Sequence, residues 1–320
     1  MASLAARALH ARYARVDALT LPSHSGALER VPDIDEVLVD DGCDERELAA
    51  SIAQHRYDAC IVTWATARTA RVPQLAQIPV RVGQARRLYS WRFTHRVPVR
   101  SELGDVTSHW SQIVLDYPRA IGCDTSDAFP RFVPADADDA QARTLMADLR
   151  LCADRFIIMH PTNAIAPKRG IWPVEGWAAL ATALRSRFGL PLLVSGSPAD
   201  APINAAIVRQ AQDDEVYDIA GRTGIGGFGA LAQRARLFAG ITTGSMHVAA
   251  AVGAPTVGIF PFQTDTPERW APIGERTAIV RATYPCRPGE RKETCLDYAC
   301  IAHLDVPRIV AAADSLLSAR

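Results

Sequence analysis

Along most of the chain, short runs of β-branched and other apolar residues alternate with stretches whose apolar positions recur at helical spacing. In the first half the strand-like runs are 16–21 (VDALTL), 36–40 (EVLVD), 59–64 (ACIVTW) and 80–83 (VRVG), with a helical pattern over 45–55. In the second half they are 155–160 (RFIIMH), 191–196 (PLLVSG), 215–220 (EVYDIA), 237–241, 256–260 and 277–282 (TAIVRA). Helical patterns cover 174–188, 199–211, 227–235 and 246–252. Strands that alternate with helices predict parallel sheets covered on both faces. Two such sets predict an α/β protein of two Rossmann-like domains, 1–150 and 151–320, with the polar stretch 134–155 supplying the link and a helix into the second.

One segment tests that parse. Residues 237–264 carry no Asp, Glu, Lys or Arg and are long enough to cross a bilayer. Gly240, Gly244, Gly253, Pro255 and Gly258 interrupt them, and Thr242, Thr243, Ser245 and His247 are polar. Backbone exposed to lipid cannot carry so many breaks. The segment instead predicts a strand, a tight turn at 242–245, a short Ala-rich helix ended by Gly253 before Pro255, and a second strand.

Composition narrows the function classes. The chain has 320 residues, 48% of them hydrophobic, and balances 35 basic against 35 acidic side chains, so no global field draws it to nucleic acid. Arg7, Arg12 and Arg15 stand where a secretory signal would need an apolar core, which predicts a cytoplasmic protein. Seven scattered cysteines fit reduced thiols better than a disulfide framework. Thirty-three of the 35 basic residues are Arg; Lys168 and Lys292 are the two lysines. A compact ammonium does different work from a planar guanidinium, so Lys168, inside an unusual loop, is singled out.

In open α/β sheets, ligands bind beyond the carboxyl ends of the strands. Three loops of the second half leave such ends: 160–173 (HPTNAIAPKRGIWP), 195–202 (SGSPADAP) and 242–247 (TTGSMH). Each is rich in small polar residues and precedes a helix, whose free N–H groups can hold an anion. Neither a Walker sequence nor G-x-G-x-x-G occurs in this half, so a P-loop and a dinucleotide fingerprint are not supported. His160 closes a strand and reads as a satisfied core histidine, with a direct ligand role as the alternative. Asp200 reads either as a partner for a ribose hydroxyl or as a stabiliser of its own helix start.

In that order, the three loops and their flanks, HPTNAIAPKRGIWPVEGWAALATAL, LPLLVSGSPAD and TTGSMHVAAAVGAPTVGIF, resemble the ADP-heptose:lipopolysaccharide heptosyltransferases, glycosyltransferase family 9. The resemblance covers nearly the whole chain, including VPDIDEVLVD and the His109-led HWSQIVLDYPRAIG in the first half. It implies a bacterial protein of GT-B fold, with a donor nucleotide-sugar in the C-terminal domain, a glycolipid acceptor in the N-terminal one, and no metal or other cofactor. Carried onto this chain, it implies that Lys168 stabilises the diphosphate. Thr162, Asn163, Asp200, Thr242, Thr243, Gly244, Ser245, Met246 and His247 would line the donor. Three departures accompany it. Thr242 stands where the family has Asp; Gly170 and Ile171 separate Lys168-Arg169 from Trp172-Pro173; and the family's opening strand with its Leu-Gly-Asp loop, which supplies the base, has no counterpart at the start. The letters LGDV at 103–106 follow RVPVRSE and precede the His109 helix, a different context.

The sequence reading is therefore an inverting, metal-independent transferase that moves heptose or a similar sugar from a nucleotide diphosphate to lipopolysaccharide or a related surface glycan. The alternative is a non-catalytic homologue that kept the donor pocket and lacks the base. A sugar-nucleotide epimerase would explain two sheets but not the three loops together. Residues 59–101 hold eight Arg and no acid, with Tyr89, Trp91 and Phe93 among them. They read as a basic surface for a phosphorylated acceptor at the inner face of the cytoplasmic membrane, with Arg86, Arg87 and Arg92 as its contacts, or else as a solvated face. Cys286, Cys295 and Cys300 lack any C-x-x-C pair and read as a structural thiol cluster or one disulfide rather than a metal site.

Overall fold

Strands buried on both faces need apolar side chains at every position, and the second-half runs have them. The computed structural model describes residues 2–162, 172–287, 295 and 297–318, and divides them into two compact units, Met1–Arg131 and Phe132–Arg320.

In the second unit six parallel strands form one sheet. They are β6 (Ile157–His160), β7 (Leu192–Val194), β8 (Val216–Asp218), β9 (Leu237–Ile241), β10 (Thr256–Phe260) and β11 (Thr277–Arg281), following β1 (Asp17–Thr20), β2 (Glu36–Val39), β3 (Ala59–Ile61), β4 (Val80–Gln84) and β5 (His95–Val97) of the first unit. Their spatial order is β11-β10-β9-β6-β7-β8. The chain runs outward from β6 on one side, then returns to β9 on the other, so the order reverses between β6 and β9. The register sets Ile157 beside Leu237 and His160 beside Gly240. A Cβ at Gly240 would lie 2.7 Å from the Phe238 ring and 3.0 Å from the His160 Cβ, so the pairing needs glycine there. Residues 237–264 are β9, helix Gly244–Ala251, β10 and the turn after it. Among the described residues no helix is long and apolar enough to cross a membrane.

Helix Val174–Phe188 has the predicted bounds and buries Trp177, Leu180, Ala181 and Leu184 against the sheet. Trp172 packs edge-on against Trp177, ring centroids 4.8 Å apart, and its indole lies over Gly176, where a Cβ would come within 2.3 Å. Helix Val306–Ser318, absent from the sequence reading, returns Ile309 and Ala313 to the same core.

The unit boundary falls at 131/132 rather than at 150. Helix Asp136–Asp148, within the stretch read as a link, packs on helix Ile225–Ala232 of the second unit. The reason is the glycine face of IGGFG. Asp138 covers Gly226, Gln141 covers Gly227 and Phe132 covers Gly229, each closer than a Cβ would tolerate. Arg234 then ties the helix by donating to Asp139 at 3.1 and 2.9 Å.

The first unit holds two parallel sheets, β1-β2 and β3-β4-β5. Its strands are only partly buried, unlike those of the second unit. β5 went unpredicted because it is three residues long, with His95 and Arg96 exposed and Val97 alone buried, as an edge strand often is. Helix Trp110–Arg119 is capped by His109, whose ring accepts from the Ser111 N–H at 3.2 Å, and it buries Leu115 against Leu4 and Ala8 of helix Ala2–His10.

Trp177 offers a clear stability test. Its indole N–H is buried with no partner among the described residues, so its contribution is packing. Trp177→Ala should cost the second unit about 3–5 kcal/mol in urea unfolding. Trp177→Phe should cost clearly less, because no hydrogen bond is lost. Equal losses for the two would show that packing is not what Trp177 supplies.

Candidate functional site

The reversal between β6 and β9 leaves a crevice at the carboxyl ends of those strands, the place where such sheets bind ligands. Its floor begins at His160, the last residue of β6. Its wall is the turn from β9 into helix Gly244–Ala251, and Ser195, the residue after β7, lies beside it.

His160 joins all three. Ser195 Oγ donates to the Met159 carbonyl at 3.2 Å and lies 2.9 Å from His160 Nδ1, so its lone pair is left to accept from Nδ1–H. The Nε2 lone pair then faces Ser245 Oγ at 3.4 Å, a long contact in which the hydroxyl donates. This assignment follows from the network of partners. Enclosed by Ser195, Ser245 and the edge of Phe228, the imidazole loses hydration, and burial pulls its pKa down to about 4. The ring is neutral at physiological pH and acts as a spacer that orients two serines.

The helix start above it is unusual. Thr243 occupies the N-cap position in extended backbone, yet its side chain makes no capping bond and its buried hydroxyl has no partner among the described residues. A threonine at this position ordinarily accepts from an N–H two or three residues on. Here the N–H groups of Gly244, Ser245 and Met246 take no partner among the described residues. Free N–H groups, the positive end of a helix and an unsatisfied hydroxyl make an anion site. A Cβ built on Gly244 meets nothing within 4 Å among the described residues. Behind it, Met246 is fully buried, and its sulfur would come within 2.8 Å of a Cβ on Gly258, so the helix packs closely on β10.

The structure thus brings the turn of Thr243, Gly244 and Ser245 up to His160, and Thr162, two residues beyond β6, is buried. Met246 can present only its N–H, because its side chain is in the core. The Thr242 N–H is taken by the Ile259 carbonyl at 3.1 Å, leaving its half-buried side chain for the crevice. His247 is half-buried one turn into the helix. The Asp200 carboxylate closes its own turn, accepting from the N–H and hydroxyl of Ser197, both at 2.7 Å. Asn163 and Lys168 lie outside the described residues; Trp172, buried against Trp177, anchors the far end of their loop. Arg86, Arg87 and Arg92 belong to the first unit, in the loop after β4.

Two contributors escaped sequence reasoning. Ser195 was read as part of a loop and proves to be the buried partner of His160. Asn204, wholly buried, donates to the Val194 carbonyl at 3.0 Å and to Asp218 Oδ1 at 3.1 Å, holding the ends of β7 and β8 beside the crevice. The available signal was a lone amide between Ile203 and Ile207 on the inner face of a helix.

Comparison with known proteins places this geometry. The model of glycosyltransferase family 9 (heptosyltransferase) matches residues 45–299. Among solved structures, a glycosyl transferase family 9 protein from Veillonella parvula superposes with a TM-score of 0.85 at 19% identity, over 98% of this chain and 92% of that one. Escherichia coli ADP-heptose lipopolysaccharide heptosyltransferase II gives 0.79 at 20% identity, over 98% and 93%. Escherichia coli heptosyltransferase WaaC with ADP gives 0.67 at 16% identity, over 97% and 95%. At these identities the likeness is one of fold, the GT-B arrangement of parallel-sheet units.

The buried imidazole makes the crevice pH-sensitive in one direction. Between about 4 and the ordinary 6.5, the unfolded chain holds a proton on residue 160 that the folded chain does not. Stability from this residue is therefore complete above that window and declines as pH falls through it. His160→Gln should show a shallower loss of urea midpoint between pH 7 and pH 5 than the wild type; identical slopes would remove His160 as the cause.

Proposed function

The chain belongs to glycosyltransferase family 9, and we propose that within it the protein transfers heptose, or a similar sugar, from a nucleotide diphosphate donor to lipopolysaccharide or a related surface glycan. The observation that supports this reading is the helix start at 243–246, where three N–H groups and the Thr243 hydroxyl have no partner among the described residues. In the reaction the acceptor hydroxyl attacks the anomeric carbon, the bond to the diphosphate breaks, and the configuration inverts. Negative charge grows on the departing diphosphate. Fixed N–H dipoles and the Lys168 ammonium meet that charge where it develops, so this route asks for no metal. Lys168 takes its role from the motif, and Thr162, Asn163 and His247 frame the rest of the donor.

The attacking hydroxyl needs a proton acceptor. Asp105, the carboxylate of the LGDV letters, is poorly suited. It accepts from the N–H groups of Thr107 and Ser108 at 2.8 and 2.9 Å, and with the Ser108 hydroxyl these bonds hold it well below the usual carboxylate range. That engagement sets Asp105 aside as the base, and the second reading is a homologue that binds the donor without turning it over.

Calorimetry with ADP and ADP-heptose, without added metal, tests the donor site. Wild type should bind both, and Lys168→Ala and Thr243→Val should each weaken binding roughly tenfold or more, as loss of a charge-assisted or buried hydrogen bond does. A well-folded wild type that binds neither nucleotide would sink the donor reading. Binding without sugar transfer to any lipopolysaccharide acceptor would favour the second reading.

A further inference from the structure

The two units lay out their strands by one plan. In the second, β7 and β8 run outward on one side of β6, and β9, β10 and β11 on the other. In the first, β1 and β2 match β7 and β8, while β3, β4 and β5 match β9, β10 and β11, and every pairing is again parallel. Helix Ala2–His10 precedes β1 as helix Val174–Phe188 precedes β7. Among the described residues, no strand of the first unit joins its two groups as β6 joins those of the second.

The inner edges of the two groups are open in their hydrogen bonding. Along β1 the carbonyls of Val16 and Thr20 accept from the N–H groups of Asp35 at 2.9 Å and Asp40 at 2.8 Å. Alternate residues of a parallel strand bond the same neighbour, so the N–H and C=O of Leu19 face away from β2. Along β3 the Asp58 carbonyl accepts from the Val80 N–H at 3.2 Å, and the Val62 N–H donates to the Val82 carbonyl at 2.9 Å. By the same alternation Ala59 and Ile61 face away from β4. The backbone groups of Leu19, Ala59 and Ile61 have no partner among the described residues. Burial agrees. β7 and β9, which flank β6, are buried at every position, whereas β3 is half-buried throughout and Leu19 in β1 is 42% exposed.

Side chains tie the two groups together at both ends. Tyr57, two residues before β3, donates its hydroxyl to the carboxylate of Asp17, the first residue of β1. Arg68, in helix Ala67–Leu75 after β3, donates to Asp40 after β2 at 3.0 and 2.7 Å. Long side chains make both ties, as a gap of one strand requires, since two strand spacings amount to about 9.6 Å. Leu48 and Ile52 of helix Glu45–Gln54 pack with Val72 of helix Ala67–Leu75 and with Cys60 of β3, covering one face. Two facing rows of unpaired N–H and C=O groups are a template for one more strand.

We infer that β1 and β3 form a slot for one further parallel strand, which bonds Leu19 on one side and Ala59 and Ile61 on the other. A central parallel strand is buried on both faces, so its occupant is a short continuous apolar run, as Ile157, Ile158 and Met159 are in β6. Helix Ala2–His10 runs back to the amino end of β1, so it starts at the carboxyl end of the sheet. A right-handed crossover from the occupant through that helix to β1 is the connection such sheets use. The occupant is therefore a strand joined ahead of helix Ala2–His10, and its trailing loop falls where the strand order reverses, the place where such sheets bind ligands. None of the donor-site residues takes part in this slot.

Amide exchange followed by NMR reads the slot residue by residue. In the 320-residue chain the Leu19, Ala59 and Ile61 amides should exchange freely, and the Val62 amide, bonded to Val82, slowly. The probe is the second unit's own strand, FIIMH as in Phe156–His160, fused ahead of Ala2 through about four Gly and Ser residues. Fusion should slow the three amides by about tenfold or more. Leu19→Pro removes an N–H that has no partner among the described residues, so urea unfolding of the unfused chain should stay nearly unchanged. The same substitution should cut the protection of Ala59 and Ile61 in the fused chain. Slow exchange at all three amides before fusion, or exchange unchanged by it, would overturn the slot. Protection of the unfused chain that grows with protein concentration would overturn the assigned occupant, because a second copy would then supply the strand.

Discussion

The crevice of the second unit exists because β6 and β9 can lie side by side with His160 opposite Gly240. Any side chain at 240 would strike the Phe238 ring and the His160 Cβ, and the two strands would part where the sheet order reverses. Holding them together fixes three things at once. His160 is set within reach of Ser195 and Ser245, the turn after β9 is aimed over the end of β6, and helix Gly244–Ala251 is held close to β10 by Gly258 and Met246. A small residue in the strand thus controls the position of polar groups that lie beyond its end.

The chain divides its cationic work by shape. Planar guanidinium groups make the structural pairs: Arg234 with Asp139, Arg185 with Asp213, Arg68 with Asp40 and Arg100 with Asp116, each offering two nitrogens to one carboxylate. A guanidinium fork suits such pairing, while a compact ammonium approaches an anion as a point charge. In a chain almost without lysine, the one in the loop between β6 and helix Val174–Phe188 therefore stands out on chemical grounds as well as by motif.

The second unit was largely legible in the sequence because its central strands are continuous apolar runs and its functional loops are small, polar and placed before helices. Helix Val174–Phe188 and strands β9 and β10 were read with their bounds for that reason. What escaped was set by contacts distant in sequence. The boundary between units depends on three glycines near 226–229 receiving Phe132, Asp138 and Gln141, and nothing local to residues 132–150 announces it. β5 is too short and too polar to show alternation, and the arginine-rich stretch that hides it was read for its charge and aromatics. The turn read at 242–245 was found by its letters, although the helix begins within it at Gly244; that the Thr243 hydroxyl has no partner among the described residues is a fact of geometry.

The neutrality of His160 settles where the attraction for an anion has to come from. A histidine beside an anion site invites the view that it supplies positive charge, but this ring, titrating near 4, is uncharged across the physiological range. Its lone pair is turned toward Ser245, so it accepts where a phosphate would need a donor. The remaining sources on the described residues are fixed: the helix N–H groups and the Thr243 hydroxyl, none of which titrates near neutrality. A site built this way keeps its sign as pH varies. The buried serine–histidine–serine chain then has a positional task, holding β6, β7 and the helix start in register so that the dipoles converge on one point.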